Sequence, residues 1–381
     1  MKKYRLLMLL TMLSIVLAAC TEQQKSKQQF LDANEGKNQL SIEDIEKDEL
    51  FRWDLTEEVE AIVVKEEGEM TPHEELSLFG EAGEETFRGN VSLYLIHNEI
   101  EKGYLQQTIE GVQLNTTQSF KAKETFQQRP VIAWTEIVSE DLYLRSMWQY
   151  IDGELQMMQF GEATQIAVSA QDVQWIEDTY MQMNVVERYG VGQYEKQWIF
   201  QTWEWQENRF ILKNERMFKD TNLNRLGEQV TKRWIDEGKV LPFEMVEPET
   251  YTITKTSLPT FEEGAFLDHQ PKIGDDLLEK IFDMPPHIEQ EVVKDGVTIM
   301  FSDGFTYTYE PDTFTAKSLS INGKQLTSSL AALRKVFGEE AANSYDVEEA
   351  VYTEKYVVGD YRVMMTYRKD EARYMFQLGQ K

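Results

Sequence analysis

The side chains that most often carry catalysis are sparse in this sequence and are not arranged for it. The 381 residues contain no Gly-x-Ser-x-Gly nucleophile elbow and no glycine-rich phosphate loop. The histidines lack metal-ligand spacing, and we expect each to be a surface or packing residue: His73, His97, His269 and His287. Carboxylates are so numerous that pairs suited to acid–base chemistry could be drawn anywhere. We therefore predict a non-enzymatic protein with no catalytic residue, cofactor or metal site.

One segment has part of the spacing of a calcium loop. Asp220, Asn222 and Asn224 place oxygen ligands at positions one, three and five. The glycine required at position six is Arg225, however, and the acid required at position twelve is Thr231. We therefore interpret Asp220 as the N-cap of a helix.

Cys20 is the one residue whose chemistry the sequence assigns. The chain begins with a short basic segment, continues with the apolar run Leu6–Leu17, and reaches Leu17-Ala18-Ala19-Cys20. This layout is typical of a secretory signal, and twelve helical residues rise only about 18 Å, too little for a hydrocarbon core of about 30 Å. The ending resembles the lipobox of bacterial lipoproteins. The resemblance implies a signal peptide over residues 1–19, cleavage before Cys20, a diacylglycerol on its sulfur, and in some lineages a further acyl chain such as palmitate.

Composition restricts the partners of the mature chain. Cys20 is the only cysteine, so once it is lipidated no disulfide or thiol chemistry is left and the folded part must hold by packing. The formal charge of −28 becomes −31 when the signal peptide removes its three cations, Lys2, Lys3 and Arg5. So acidic a protein repels phosphate backbones and anionic headgroups. We expect no nucleic-acid binding, and contact with the cell membrane only through the lipid anchor.

Residues 20–50 are predicted to be the lipid anchor and a disordered tether. The stretch from Thr21 to Gln29 has no apolar residue, and the part around Glu43–Glu49 is acidic and lacks aromatic side chains. A flexible spacer is expected between a lipid anchor and a folded domain.

Residues 51–218 are predicted to form an antiparallel all-β domain. Runs rich in β-branched and aromatic residues recur at a spacing of about ten, among them 91–96, 131–138, 142–150, 197–205 and 209–212. Asp152-Gly153 between two such runs is a strong hairpin signal. The pattern leaves a sandwich and a propeller-like arrangement both open. Trp203 and Trp205 share one strand face, where they would serve either as core or as a sugar-stacking platform.

Residues 219–271 are predicted to be a helix followed by a linker. Leu223, Leu226, Val230 and Trp234 recur at helical spacing over 220–238, with Gly238 as the stop. Four prolines and little periodicity then indicate a segment wrapped over a surface, and we place the domain boundary there.

Residues 272–381 are predicted to be an α+β domain made of two α-β-β-β units. Helices are expected over 273–282 and 326–338. The strands expected after them are 296–302, 305–309 and 318–321 in the first unit and 349–358, 361–367 and 373–378 in the second.

This pattern resembles the tandem-repeat, beta-lactamase-inhibitor-like domains of unknown function on surface lipoproteins of low-GC Gram-positive bacteria. The resemblance covers about the last 110 residues. The chain departs from the family's pattern in the first unit. There Asp283-Met284-Pro285-Pro286 follow the helix, whereas in the second unit the expected glycine, Gly338, follows it. The resemblance implies helices on one side of an antiparallel sheet whose other face is open. Strand alternation places six residues on that open face, whose mixture of Thr, Met and Arg suits either a solvated surface or adaptable protein contact: Met300, Thr306, Thr308, Arg362, Met364 and Thr366.

Together these features predict a cell-surface lipoprotein that faces outside the cytoplasm and presents protein-binding modules at the envelope. The alternative is a glycan-binding or carbohydrate-active envelope protein that uses the tryptophan-rich β domain. A third possibility is an accessory subunit of a transport or sensor system. The sequence leaves open the partner, any substrate and the oligomeric state.

Overall fold

Strands predominate in the protein, as the sequence predicts. The computed structural model describes residues 24–77, 79–120, 123–139, 142–169, 173–188, 195–267, 270–294, 296–338, 342–368 and 374–381. The first eleven strands are β1 Gln39–Ser41, β2 Glu49–Asp54, β3 Val59–Pro72, β4 Glu85–His97, β5 Lys102–Asn115, β6 Glu124–Phe126, β7 Arg129–Ser139, β8 Leu142–Ile151, β9 Glu154–Met157, β10 Gln159–Phe160 and β11 Gln165–Val168. The others are β12 Gln174–Ile176, β13 Tyr180–Arg188, β14 Lys196–Gln206, β15 Arg209–Asp220, β16 His287–Val293, β17 Gly296–Phe301, β18 Phe305–Tyr309, β19 Ala316–Asn322, β20 Ala342–Asp346, β21 Val351–Val358, β22 Tyr361–Arg368 and β23 Tyr374–Gln380.

Helices are short and few in the described part of the chain. They are α1 over residues 24–33, then α2 Ile42–Lys47, α3 Leu226–Glu237, α4 Leu258–Glu262, α5 Leu277–Lys280 and α6 Leu330–Phe337. The sheets have the strand orders β1-β5-β4-β3-β2, β11-β8-β7-β6 with β9 on β8, β10-β15-β14-β13-β12, and β16-β17-β18-β19-β23-β22-β21-β20.

The chain divides into two compact units, and the division differs from the predicted boundaries. Within the described residues, the first unit covers those from 24 to 169, 177–180 and 204–211, and the second covers 173–176, those from 181 to 203 and those from 212 to 381. The predicted boundary between residues 218 and 272 does not coincide with this division. The segment that was expected to be a linker belongs to the second unit, because its backbone is hydrogen-bonded there: Tyr251 N–H donates to Gln325 O (2.7 Å), and Thr327 N–H donates to Tyr251 O (2.8 Å).

In the first unit, two antiparallel sheets pack on one shared apolar core. Val63 and Leu93 of one sheet meet Trp134 and Trp148 of the other, whose ring centroids are 4.4 Å apart. The long strand β3 is apolar at consecutive positions because both of its faces are covered: its other face buries Ile62 beneath α2. The apolar runs that predicted strands in the sequence are thus explained by burial on two sides.

The predicted tether over residues 20–50 is wrong for the part that the structure describes. Residues 24–33 form α1, and β1, α2 and the start of β2 follow. Phe30 is 1% exposed and Ile45 is fully buried. The buried Asn34 donates from Nδ2 to Gly153 O at 2.8 Å, 119 residues along the chain. Composition predicted disorder because this segment has few apolar residues, but two of them, Phe30 and Ile45, are buried in the cores of the unit.

The predicted hairpin at Asp152-Gly153 is confirmed. β8 ends at Ile151, β9 begins at Glu154, and these two residues are cross-strand partners. Asp152 and Gly153 both have positive φ, 51° and 101°. A two-residue turn of this kind matches the right-handed twist of the strands, which is why Asp-Gly is favoured there.

The second unit contains the predicted repeat, with one more strand in each half than the sequence indicated. Each half has a helix and then four antiparallel strands: α5 with β16–β19, and α6 with β20–β23. The last strands of the two halves, β19 and β23, pair at the centre of the eight-stranded sheet. The extra strands β16 and β20 lie at the two edges, where one side of the strand has no partner and the apolar alternation is weakest.

The helix side of this sheet is the core. Residues at alternate positions are buried on every inner strand, among them Ile299, Tyr307, Leu319, Val363 and Phe376. At the end of α6 the Phe337 ring lies 5.7 Å from both Tyr356 and Phe376. The sequence predicted this alternation and both helix positions, although the helices are shorter than expected.

Asp220 stabilises α3 from outside the helix. The helix begins at Leu226, later than predicted, because Asp220 is the last residue of β15; it ends with Gly238 in the left-handed conformation, as expected. The Asp220 carboxylate accepts from Gly227 N–H at 2.8 Å and Glu228 N–H at 2.9 Å. Burial raises the pKa of Asp220 to about 7, against the opposing effect of these bonds. Its oxygens are committed to the helix, so the raised pKa has a structural origin.

We expect Asp220→Ala to lower the free energy of unfolding by about 1–2 kcal/mol, because two helix N–H groups lose their acceptor. Chemical denaturation at neutral pH measures the change. Asp236→Ala is the matched control, since Asp236 is exposed near the other end of α3 and should shift the unfolding free energy by no more than about 0.5 kcal/mol. Equal effects of the two substitutions would contradict the capping role.

Candidate functional site

The structure places all six predicted surface residues on the same face of the eight-stranded sheet. Each is partly exposed, while its neighbours along the strand point into the core. Met300 pairs with Thr306, and Thr308 pairs with Thr298, in the first half. Met364 and Thr366 are partners of Gln377 and Met375 in the second half. The face therefore continues across both halves of the repeat.

The middle of this face is a single row of cross-strand partners. Met300 is opposite Thr306, Thr306 opposite Ser320, Ser320 opposite Gln377, and Gln377 opposite Met364. We call the surface formed by this row and its neighbours Thr308, Ser318, Arg362 and Thr366 the open face. Sequence reasoning missed Ser318, Ser320 and Gln377, although the same two-residue alternation in β19 and β23 indicates them.

The two ends of the open face carry opposite charges. Glu289 and Glu291 extend it at β16, as partners of Met300 and Thr298. At the other end Lys355 is the partner of Met364, and Arg362 lies on the neighbouring strand. The centre is neutral: Gln377 Nε2 donates to Ser318 Oγ at 2.9 Å. Such a surface suits a partner with complementary charges at its two ends.

The tryptophans of the proposed sugar platform are half-buried. The Trp205 ring packs edge-on against Phe210 at 4.9 Å and Phe126 at 5.6 Å. Trp198 donates from Nε1 to Asp220 at 2.8 Å. Trp203 is also half-buried. Trp198 and Trp205 thus also take part in the internal contacts of the fold.

The described histidines differ in their burial and in their hydrogen-bond partners. His287 is buried and shares a hydrogen bond with Met217 O, and burial lowers its pKa to about 3. His73 bonds to Thr86 Oγ1 and Ser77 Oγ. Burial lowers the pKa of His97, whose ring lies 5.4 Å from Phe30. His269 lies outside the described residues, and within them no group of three His, Cys, Asp or Glu side chains is placed to hold a metal ion.

A cleft of about 530 Å³ opens in the first unit between α1 and the β8–β9 hairpin. Its charged lining mixes the carboxylates of Glu57, Glu58 and Asp152 with the guanidinium of Arg129. Burial, with help from the Glu58 and Asp152 charges, raises the pKa of Tyr150 to about 12. Asp152 already accepts from Gln29 Nε2 at 3.2 Å. Because charges of both signs line this cleft, its electrostatics favour no single class of ligand.

Cys20 lies outside the described residues, so its chemistry is argued from the sequence alone. Among the described helices, none combines the length and the hydropathy that a membrane span requires.

Comparison with known proteins finds similarity only among solved structures. No protein-family profile matches the chain, and no curated protein matches it. Among solved structures, the chain is similar to a DUF4309 family protein (YjgB) from Bacillus subtilis, with 15% sequence identity and a TM-score of 0.27. The similarity covers 33% of this chain and 95% of that one. A low-GC Gram-positive protein of a family of unknown function is thus a weak structural neighbour of this chain.

Proposed function

We propose that this chain is a non-enzymatic lipoprotein that is anchored to the cell membrane through Cys20 and binds a protein partner outside the cytoplasm. The anchor is supported by the basic start, the apolar run and the Leu-Ala-Ala-Cys ending. Two or three acyl chains hold a protein stably on a bilayer, whereas one does not.

The open face of the eight-stranded sheet is the proposed binding surface, and its continuity across both repeats is the observation that carries the proposal. A row of partly exposed Met, Thr, Ser and Gln side chains crosses the middle strands without a charge. Charged residues are confined to its ends, and interface cores are depleted of charge in the same way. Met300 and Met364 are unbranched and can adapt to the shape of a partner.

Substitution of Met364 tests this surface. Met364→Glu puts a charge on the last residue of the neutral row, where a bound partner would have to desolvate it. In a pull-down from envelope extract with the tagged protein, we expect the recovered partner to be lost.

Leu223→Glu is the matched control, because it makes the same kind of change at an exposed residue outside the sheet. Recovery should survive in the control. Equal recovery by the two variants would remove the open face from consideration.

A partner that binds through complementary charges should also bind more slowly to Lys355→Glu, an effect that high salt suppresses.

A further inference from the structure

A second cleft, of about 320 Å³, lies on the helix side of the second unit beside the proline-containing segment 239–267, which we call the strap. Four carboxylates line it: Glu247 and Glu249 of the strap, Asp283, and Asp303. Among the described residues that line it, none is a lysine, an arginine or a histidine. The cleft therefore has a strongly negative potential, which low-dielectric walls concentrate.

The walls of this cleft are held by hydrogen bonds of the strap. Val246 N–H donates to Ser302 Oγ at 3.1 Å, and Tyr251 N–H donates to Gln325 O at 2.7 Å. Gln325 Nε2 in turn donates to Asp303 O at 2.9 Å. These bonds hold the strap on either side of Glu247 and Glu249 against the turn that carries Asp303.

Two polar groups in the lining have no partner within the described protein. Tyr307 is 1% exposed and lines the cleft, yet no described residue hydrogen-bonds to its hydroxyl. The amide oxygen of Gln270, also in the lining, is buried and accepts no hydrogen bond. The desolvation argument applies to the Gln270 oxygen, since buried polar atoms are nearly always paired in folded proteins, and the Tyr307 hydroxyl adds a second group in the lining that is free to bond. Unpaired acceptors beside carboxylates point to a ligand that donates hydrogen bonds and is positively charged.

A primary ammonium group matches this lining. It carries one positive charge, which matches the carboxylates, and three N–H donors, which match acceptors of the kind that the Tyr307 hydroxyl and the Gln270 oxygen provide. The hydroxyl remains protonated because burial, reinforced by Asp303, raises the pKa of Tyr307. Tyr251 adds an aromatic ring, which attracts cations, and Met284 and Pro285 add apolar surface for methylene groups.

We propose that this cleft binds an alkylammonium group, that is, a primary amine at the end of a methylene chain. Its source is either a free alkyl diamine or the side chain of a lysine in a polypeptide. A metal ion is a poor match, since within the described residues no three acidic or histidine side chains converge closely enough to ligate one. The site is independent of the open face, because Tyr307 points to the opposite side of the sheet.

Calorimetric titration of the purified protein tests the proposal with three probes of similar length. These are 1,5-diaminopentane, lysine blocked at both backbone ends, and hexanoate. We expect both amines to bind, less tightly as the salt concentration rises, and hexanoate not to bind. Tighter binding of the diamine would support a free amine as the ligand, and tighter binding of blocked lysine would support a polypeptide.

Tyr307→Phe is the decisive variant, because it removes a hydroxyl that has no partner in the protein and should leave the fold intact. We expect it to weaken amine binding about fivefold, the effect of one hydrogen bond. Asp303→Asn keeps an oxygen for Phe305 N–H, which the carboxylate accepts at 3.1 Å, and should weaken binding about tenfold or more.

Glu348→Gln with Glu349→Gln is the control, since it removes two exposed negative charges from the β20–β21 turn, outside the cleft. Binding should be nearly unchanged in this control. A second cleft variant, Glu247→Gln with Glu249→Gln, changes exposed residues only and should weaken binding without affecting folding. The proposal is overturned if neither amine binds, if hexanoate binds equally well, or if the cleft variants and the control bind alike.

Discussion

Glu354→Gln is expected to lower the free energy of unfolding of the second unit by about 2 kcal/mol at neutral pH, less than the cost of breaking a fully buried ion pair because the Arg334 side chain is 35% exposed. Glu354 lies on β21 and is 6% exposed. Its carboxylate accepts from Arg334 of α6, with Nη2 at 2.6 Å and Nε at 3.0 and 3.1 Å. It also accepts from the hydroxyls of Tyr356 (2.7 Å) and Tyr367 (2.6 Å). The cluster fastens α6 to the two strands that carry Lys355 and Met364 of the open face.

The effect of Glu354 should depend on pH in a defined direction. Burial acts to raise the pKa of its carboxyl, but the bonds from Arg334, Tyr367 and Tyr356 outweigh burial and lower the pKa to about 2. Because the folded pKa is below the unfolded value of 4.5, the stabilisation is complete above about pH 4.5. It is lost as the pH falls from about 4.5 towards 2, since the unfolded chain takes up the proton first.

Chemical denaturation at pH 7 and near pH 2.5 measures both effects. The stability difference between the native protein and Glu354→Gln should be largest at pH 7 and should shrink in acid. Glu348→Gln, an exposed acid in the adjacent turn, should change the unfolding free energy by about 0.5 kcal/mol or less. A difference that stays constant with pH would contradict the ion-pair account, and a double-mutant cycle with Arg334→Gln would measure the coupling directly.

Cys20→Ser is expected to abolish membrane retention, which is the largest effect that the proposed anchor predicts. A serine hydroxyl in place of the sulfur cannot carry the thioether-linked diacylglycerol that the lipobox resemblance implies. Without acyl chains the mature protein, whose charge is strongly negative, has no attraction to an anionic bilayer surface. No contact of the described residues, which begin at residue 24, involves this position, so we expect the unfolding free energy to be unchanged.

Fractionation of cells that produce the variant, followed by immunodetection, measures this effect. We expect the variant in the medium or as an unprocessed precursor, and the native protein in the membrane fraction. Thr21→Ser is the neighbouring control and should keep normal retention and size. If the Cys20→Ser protein remains in the membrane fraction at its normal processed size, the anchor lies elsewhere.

Where buried positions alternate regularly along the chain, the sequence was sufficient to predict the strands. The alternation of Ile299, Phe301, Phe305 and Tyr307 predicted both the strands and the face that lies in the core, because one sheet face is covered by helices. The hairpin at Asp152-Gly153 followed from local backbone preferences alone. The edge strands were not predicted, since only one of their sides is paired and their side chains need not alternate.

Where stability depends on residues far apart in the chain, the sequence was misleading or silent. The first helix was mistaken for a tether because the segment around Phe30 is mostly polar, and only its docking on Gly153 and the core of the first unit makes it fold. The Arg334–Glu354 cluster and the cleft lined by Tyr307 join residues from separate elements. No spacing within a short stretch of sequence predicts either feature.

The sequence by itself determined four features. These are the acidic character of the chain, the predominance of antiparallel strands, the composition of the open face, and the membrane location that is proposed from Cys20. These are properties of single residues or of short periodic runs. The tertiary structure alone decided where the two units divide, which carboxylates face each other in a cleft, and which polar groups are left without partners. Such features depend on which distant segments meet, and a carboxylate in a sequence of 67 acidic residues is distinguished from the others only by its surroundings.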